Sequence, residues 1–502
     1  MGESAAVAEL VAEKRKLKKS LFRFDMIFFT ISAILVLDTI SQSSSYGAQA
    51  VFWLIVSGVT FLIPYGLITA ELGTAFPTEG ATYEWVRLAY GHFAGAVVGV
   101  LYWLSNPIWL GGTLTATAIG AMDLAWGTKL SGNTGAEIVI GFFFIWIAVI
   151  MNILSLKYMK WIPNAGAMVR LGLVALFAIL VIATGFGSGF KGSLSGFLPG
   201  FDITVLIGVI GVLVFQWVGM ELQTNASEEM ENPQRDVPRA VYASGLISFA
   251  GYAVPIIGII LLLSQKDLST VTGFISAYQV AVAGTLGGAA TFFNYIVGAA
   301  VVFSLLSAGT TWLMGSDRLM AIGALAGSGP QQLGYFSERF GTPVVVNVLS
   351  GVIATVFMVL AFTITSGNLV AFFAVVLGLV ISTTTFSYVL IFPALITLRR
   401  KYPTVKRPYM IPGGNLGAWV CVVLTVFWVA AATLFSLWPG LFTSTWDGDK
   451  AGLSRFNFEL ATLLTMAALL ALAVIFWAVG RGHAIHTGPA PVVAQPAPVA
   501  GD

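Results

Sequence analysis

Twelve apolar stretches, each about 20 residues long, constrain this chain more than any other feature. They centre near residues 35, 62, 108, 145, 175, 212, 252, 305, 354, 384, 426 and 468. A helix of that length crosses the hydrocarbon of a bilayer, whereas a barrel strand would alternate apolar and polar over about ten residues. With 57% hydrophobic and 10% charged residues over 502 positions, the pattern predicts an all-α polytopic membrane protein of twelve transmembrane helices, with the lipid bilayer as a partner. One cysteine, Cys421, and three histidines, His92, His483 and His486, leave no disulfide framework or metal cluster to organise around. No nucleophile with a suitably placed histidine base occurs, so no enzyme activity, cofactor or nucleic-acid partner is expected.

Charge placement orients the spans. Of the lysines and arginines outside them, only Lys129, Lys191, Lys266, Lys450 and Arg455 fall in one set of loops, and the rest fall in the other set and at the ends. By the positive-inside rule both termini are expected in the cytoplasm, with the protein in the cytoplasmic membrane. Residues 1–24, with Lys14-Arg15-Lys16 and Lys18-Lys19, read as a cytoplasmic tail that anchors topology, not as a signal peptide. Residues 481–502 read as a disordered cytoplasmic tail, rich in Pro and Ala from 487. The mixed-charge run Glu228 to Arg239 reads by itself as a solvated loop.

Two spans carry polar interruptions. The first changes character at Asp38, after which Ser41-Gln42-Ser43-Ser44-Ser45-Tyr46-Gly47 is too polar for lipid. Asp38 then either lines a cavity or ends a helix at the outer interface. The sixth carries Phe215-Gln216-Trp217-Val218-Gly219-Met220-Glu221, and a carboxylate there costs about 3 kcal/mol at the bilayer centre unless it faces a cavity or partner. Gly219 offers a place for the helix to unwind. In the third span Asn106 and Trp109 share one helical face and serve either as solute contacts or as packing. Arg170, in the fifth, snorkels to the interface or supplies a fixed internal charge. Ser307, in the eighth, belongs to a run of small hydroxyl residues of the kind that serves close helix packing or binds solute.

Four motifs, in this order, carry a resemblance. After span two stand Ala70-Glu71-Leu72, Phe76-Pro77, Glu79-Gly80, Tyr83 and Tyr90-Gly91; around span six, Phe215, Gly219, Glu221, Glu229, Asn232-Pro233, Arg235 and Pro238-Arg239. Around span eight stand Ser316, Arg318 and Gly341-Thr342-Pro343, and after span ten Arg407-Pro408 with Pro412-Gly413-Gly414. On these residues spans one to ten resemble the amino acid/polyamine/organocation superfamily of secondary transporters. Phe61-Leu62-Ile63-Pro64, Trp103, Asn106 and Trp109 look most like its glutamate/aminobutyrate antiporter branch.

The resemblance implies two inverted five-helix repeats, residues 25–200 and 201–400, followed by a connector and two further helices over 401–480. Spans one and six would break at the midplane with solute between them. It implies alternating access, with a solute carboxylate on exposed backbone amides of a helix N-terminus and its ammonium on carbonyls. It also implies that Arg170 stands where related transporters place a sodium ion. One departure is plain: the family's Gly-Ser-Gly in span one is replaced by Ala33-Ile34-Leu35-Val36-Leu37-Asp38. Asp38 is therefore free to pair with a cationic group of the solute or with a proton.

The expected function is secondary transport of amino acids by proton coupling or exchange, with polyamines or cationic amino acids as the alternative. A channel would need a continuous polar file, and only midplane clusters occur. The expected solute site is Asp38, Ser41, Asn106, Trp109, Phe215, Gln216, Trp217, Gly219 and Ser307, with Glu221 and Arg170 in coupling.

Overall fold

The computed structural model describes residues 3–17, 21–154, 161–200, 204–264, 267–366, 368–439, 441, 452, 454–486 and 488–489. Its helices are α1 (Glu3–Lys14), α2 (Arg23–Ile34), α3 (Asp38–Ser44), α4 (Ala48–Ala75), α5 (Ala81–Tyr90), α6 (His92–Trp126), α7 (Thr134–Ile153), α8 (Trp161–Gly187) and α9 (Thr204–Trp217). The second half adds α10 (Pro233–Leu262), α11 (Gly273–Leu286), α12 (Ala290–Gly323), α13 (Val344–Ile364), α14 (Leu369–Ile391), α15 (Ala394–Lys401), α16 (Gly414–Leu437) and α17 (Arg455–Gly480). Among the described residues ten helices are long and apolar enough to cross a membrane, and the bent pair α2 and α3 makes an eleventh candidate. Among the described residues the sixth apolar stretch yields the 14 residues of α9, short for a crossing by itself, and the chain leaves the helix after Trp217.

The sidedness of the helices is that of a protein in lipid. On α13 the exposed residues Val348, Val352, Val356, Leu360 and Ile364 follow one another at i+4, an apolar stripe on the outer surface. The buried face of the same helix carries Asn347, Ser350, Gly351 and Ala354. Such a helix turns its polar groups to its neighbours and its large apolar groups outward, which only a hydrocarbon solvent rewards. Gly351 lets α7 approach, since a Cβ there would lie 3.0 Å from Val149.

Two helices break where the sequence turns polar. The pair α2 and α3 bends by 48° across Leu35, Val36 and Leu37. Side chains from other helices satisfy the backbone this frees: Tyr252 Oη donates to Ile34 O (2.6 Å) and accepts from Val36 N (3.0 Å), and Trp312 Nε1 donates to Ala33 O (2.9 Å). The second break follows Trp217, where Gly219 takes φ +122° and short 3₁₀ turns at Leu222–Asn225 and Ser227–Glu229 replace the helix. A Cβ on Gly219 would sit 3.0 Å from the Trp312 ring and 3.2 Å from Ala33 Cβ. Glycine is required there by backbone conformation and by the close approach of the two breaks.

The end segments depart from the expected tails. Within residues 1–24 lies α1, whose Leu10 and Lys14 are buried, and Lys14 Nζ reaches Glu228 Oε1 at 2.6 Å. The run from Glu228 is thus buried at its start, because it has basic partners to bury against. In the 481–502 segment, Ile485 is buried, donates to Ala326 O (3.2 Å) and accepts from Arg87 Nη1 (2.8 Å). Residues 487 and 490–502 of that expected tail lie outside the described residues, as do Lys157, Lys160 and most of the loop around Trp446.

Candidate functional site

The two breaks meet at a small cavity lined by Ala33, Ile34, Val36, Asp38 and Thr39 from the first, Phe215, Gln216 and Val218 from the second, and Trp109, Tyr252 and Trp312. Its free volume of about 10 Å³ holds roughly one water, so a solute of any size must displace side chains to enter. The movable walls are rings: Trp109 meets Phe215 edge to face at 5.7 Å and Trp312 at 5.9 Å.

Asp38 opens α3 and is fully buried. One carboxylate oxygen, Oδ2, accepts from Trp109 Nε1 and Thr113 Oγ1, both at 2.8 Å. The other, Oδ1, is buried and meets no donor in full hydrogen-bond geometry, with the backbone N–H groups of Asp38 and Thr39 close to the carboxylate. Gln216 donates its amide to Thr39 O (3.1 Å), which leaves Gln216 Oε1 likewise unpartnered. Both orphans are acceptors, and an acceptor buried unmet costs about 1–3 kcal/mol. An ammonium or guanidinium brings the donors they lack, and aromatic faces within about 6 Å would stabilise its charge further.

At Leu35 and Val36 the backbone offers a carboxylate less. Of the N–H groups freed by the first break, that of Leu35 is bonded to Ile31 O (2.9 Å) and that of Val36 to Tyr252 Oη. The amide cradle implied by the family resemblance is therefore taken up by the protein's own groups at these two positions.

Glu221 lies beyond the cavity, just after Gly219, and is fully buried. Its Oε1 accepts from Tyr102 Oη at 2.6 Å and from Tyr388 Oη. Tyr65 Oη in turn bonds Tyr388 Oη (3.5 Å) and accepts from Gly219 N (3.1 Å). A chain of three tyrosine hydroxyls thus ties the second break to α4, α6 and α14 through one carboxyl group.

Arg170 does not snorkel. It is fully buried, Nη1 donates to Ser32 O (2.6 Å) and Nη2 to Ser304 O, so the guanidinium fastens the end of α2 to α12 through α8. Ser32 Oγ adds a bond to Thr311 Oγ1 (2.9 Å). Among the described residues Arg170 and Asp38 form no direct ion pair, and the two Nη donors of Arg170 go to the carbonyls of Ser32 and Ser304.

Of the expected site, Asp38, Trp109, Phe215 and Gln216 line the cavity, and Gly219 shapes its wall through Trp312 and Ala33. Four others do not line it. Asn106 Nδ2 turns back to Tyr102 O of its own helix (2.8 Å), and Ser41 Oγ accepts from Phe274 N (2.9 Å) at the start of α11. Trp217 packs outward on Phe249 and Tyr252 with its Nε1 on Ser57 Oγ (2.9 Å). Ser307 donates to Ile162 O (2.9 Å) beside Arg170. Tyr252, Trp312, Thr113 and the tyrosines around Glu221 were not among the expected site residues, since nothing local in the sequence tells which residues of a span meet a break in another.

The fold is shared with a solved manganese transporter of Eremococcus coleocola, at a TM-score of 0.59 and 12% identity, covering 90% of this chain and 94% of that one. Residues 21–448 match the amino acid permease family. The chain belongs to that family. It is an integral membrane protein, and its relatives are transporters of amino acids and amines. A probable agmatine/putrescine antiporter of Lactococcus lactis is 28% identical over 444 residues, 87% of this chain and 91% of that protein. A glutamate/gamma-aminobutyrate antiporter of the same species is 23% identical, covering 78% of each chain, and a polyamine transporter of Arabidopsis thaliana is 26% identical, covering 75% of this chain and 72% of that protein.

Proposed function

We propose that this permease carries cationic amines, of the diamine or guanidino-amine kind, by alternating access through twelve spans arranged as two inverted repeats. The observation that carries this reading is the Oδ1 of Asp38, without a side-chain partner, in an aromatic cavity where the amides of Leu35 and Val36 are already bonded. A neutral amino acid would bring a carboxylate that meets the Asp38 charge with no free amide at Leu35 or Val36 to receive it. The relative named for agmatine and putrescine matches over more of this chain, at higher identity, than the one named for glutamate and aminobutyrate, which supports the same choice. Amino acid transport, the first expectation from sequence, becomes the second reading. In proteoliposomes, uptake of labelled putrescine is expected to be suppressed by excess agmatine or cadaverine and left unchanged by alanine or glutamate. Suppression by the amino acids alone would support the second reading.

The distribution of basic residues supports a cytoplasmic location of both termini, with the α1 face, in a protein of the cytoplasmic membrane. Glu221 serves the coupling. A carboxyl group shared by Tyr102 and Tyr388 holds the second break to three helices, and gain or loss of its proton rewrites that bonding. Glu221→Gln keeps the acceptor oxygen and removes this titration, so transport should persist with a weakened dependence on pH. An unchanged pH profile in the Glu221→Gln protein would place coupling elsewhere.

A further inference from the structure

Five charged side chains are buried together on the face that holds the chain ends, and none of them lines the cavity. Lys14 comes from α1, Glu79 from the turn between α4 and α5, Glu228 and Glu229 from the turns after the second break, and Arg318 from the end of α12; none is more than 4% exposed. Lys14 Nζ pairs with Glu228 Oε1 at 2.6 Å, and that oxygen also accepts from Thr78 Oγ1 (3.1 Å) and Glu79 N (3.3 Å). Arg318 Nε bonds Glu229 Oε1 at 2.9 Å and lies 3.4 Å from Glu79 Oε1. The tally is three carboxylates against two cations. Among the described residues neither Glu79 oxygen has a hydrogen-bond partner, and Glu229 Oε2 has none.

Other charged groups on the same elements are engaged elsewhere. On α12, Asp317 accepts from Ser350 Oγ (2.7 Å) and Asn152 Nδ2 (3.0 Å); on α5, Glu84 and Arg87 pair with each other at 2.7 Å; near α1, Glu13 pairs with Lys16 at 2.8 Å. Among the described residues nothing nearby cancels the third negative charge, and a lone buried charge is far more costly than a protonated carboxyl.

We propose that Glu79 and Glu229 form a proton-binding site that closes the inner face: one proton, held by Glu79 and shared with Glu229, neutralises the cluster when these five residues are brought together. Burial and the neighbouring Glu229 carboxylate both push the Glu79 carboxyl well above the usual range, which agrees with the charge tally. The cluster joins segments that must separate for solute to leave inward. Glu79 bridges to Ala226, Gly80 N bonds Asn225 O (2.9 Å), and Leu21 N bonds Glu229 O (3.1 Å). Once water enters, the charged carboxylates are solvated and the proton leaves to the same side. The closed inner face is therefore favoured at low pH on that side and weakened as pH rises through the raised Glu79 value.

Hydrogen exchange on the purified full-length protein, with each rate divided by its intrinsic value, tests this without any solute. Its failure would leave the amine reading untouched, and failure of the amine reading would not alter its result. Protection of the 225–231 amides should fall about tenfold or more between roughly pH 5.5 and 8.5 in the wild type, the effect of one linked proton. In Glu79→Gln, whose amide mimics the protonated acid and donates to Glu229, protection should stay high and flat. Should Glu79→Gln fold poorly, Glu229→Gln is expected to flatten the profile in the same way. A flat profile in the wild type, or a wild-type slope in either variant, would overturn the proposal.

Discussion

Replacing Asp38 by asparagine is expected to lower amine uptake at least about 100-fold while leaving the fold intact. The side-chain oxygen of the introduced amide would still accept from Trp109 and Thr113, so the contacts that orient α3 against α6 survive. Its NH₂ would then occupy the place of the free Oδ1 and offer donors to a solute that carries only donors. Loss of a desolvated, charge-assisted hydrogen bond is worth about 3 kcal/mol, which is roughly a hundredfold in affinity. Initial rates of labelled putrescine uptake across a concentration series, with thermal unfolding of the same preparations, check both halves. Full activity in Asp38→Asn would remove Asp38 from the solute site.

The Arg170→Ala protein is expected to lose transport and part of its stability together. Removal of the guanidinium leaves the buried carbonyls of Ser32 and Ser304 without their donor, at about 1–3 kcal/mol each, and frees the end of α2 beside the break. Arg170→Lys keeps the charge but not the fork that spans two carbonyls, so it should recover only part of the activity. Because a fixed cation already bridges α2 and α12, wild-type uptake should be equal in sodium and in choline media. Sodium-dependent uptake by the wild type would contradict the role given to Arg170.

The sequence made the helical architecture legible because lipid imposes a length and an apolarity that each span must meet alone. Asp38 and Gly219 were legible for the same reason, as residues that break that rule, and they mark the two walls of the cavity. Arg170 was visible as an exception, but its partners were not, since they are backbone carbonyls that any residue could supply. Tyr252, Trp312, Tyr102 and Tyr388 could not be read in advance. An aromatic residue within a span carries no sign of whether its hydroxyl or indole N–H meets a broken helix or a carboxyl group on another span. Asn106 and Ser307 show the converse: polar residues in a span satisfied by their own helix or by a packing neighbour. At the chain ends, basic residues read as topology signals include Lys14, which is buried in a charge cluster formed with residues about 64 and 214 positions away, a pairing that local composition cannot announce.

The central claim is that a carboxylate oxygen between two broken helices waits for a cationic amine. Titration calorimetry of the purified protein with putrescine, agmatine, alanine and glutamate, repeated on Asp38→Asn, tests it most directly. The account predicts heat of binding from the two amines alone, abolished in the variant; binding of alanine or glutamate without the amines, or equal amine binding by Asp38→Asn, would contradict it.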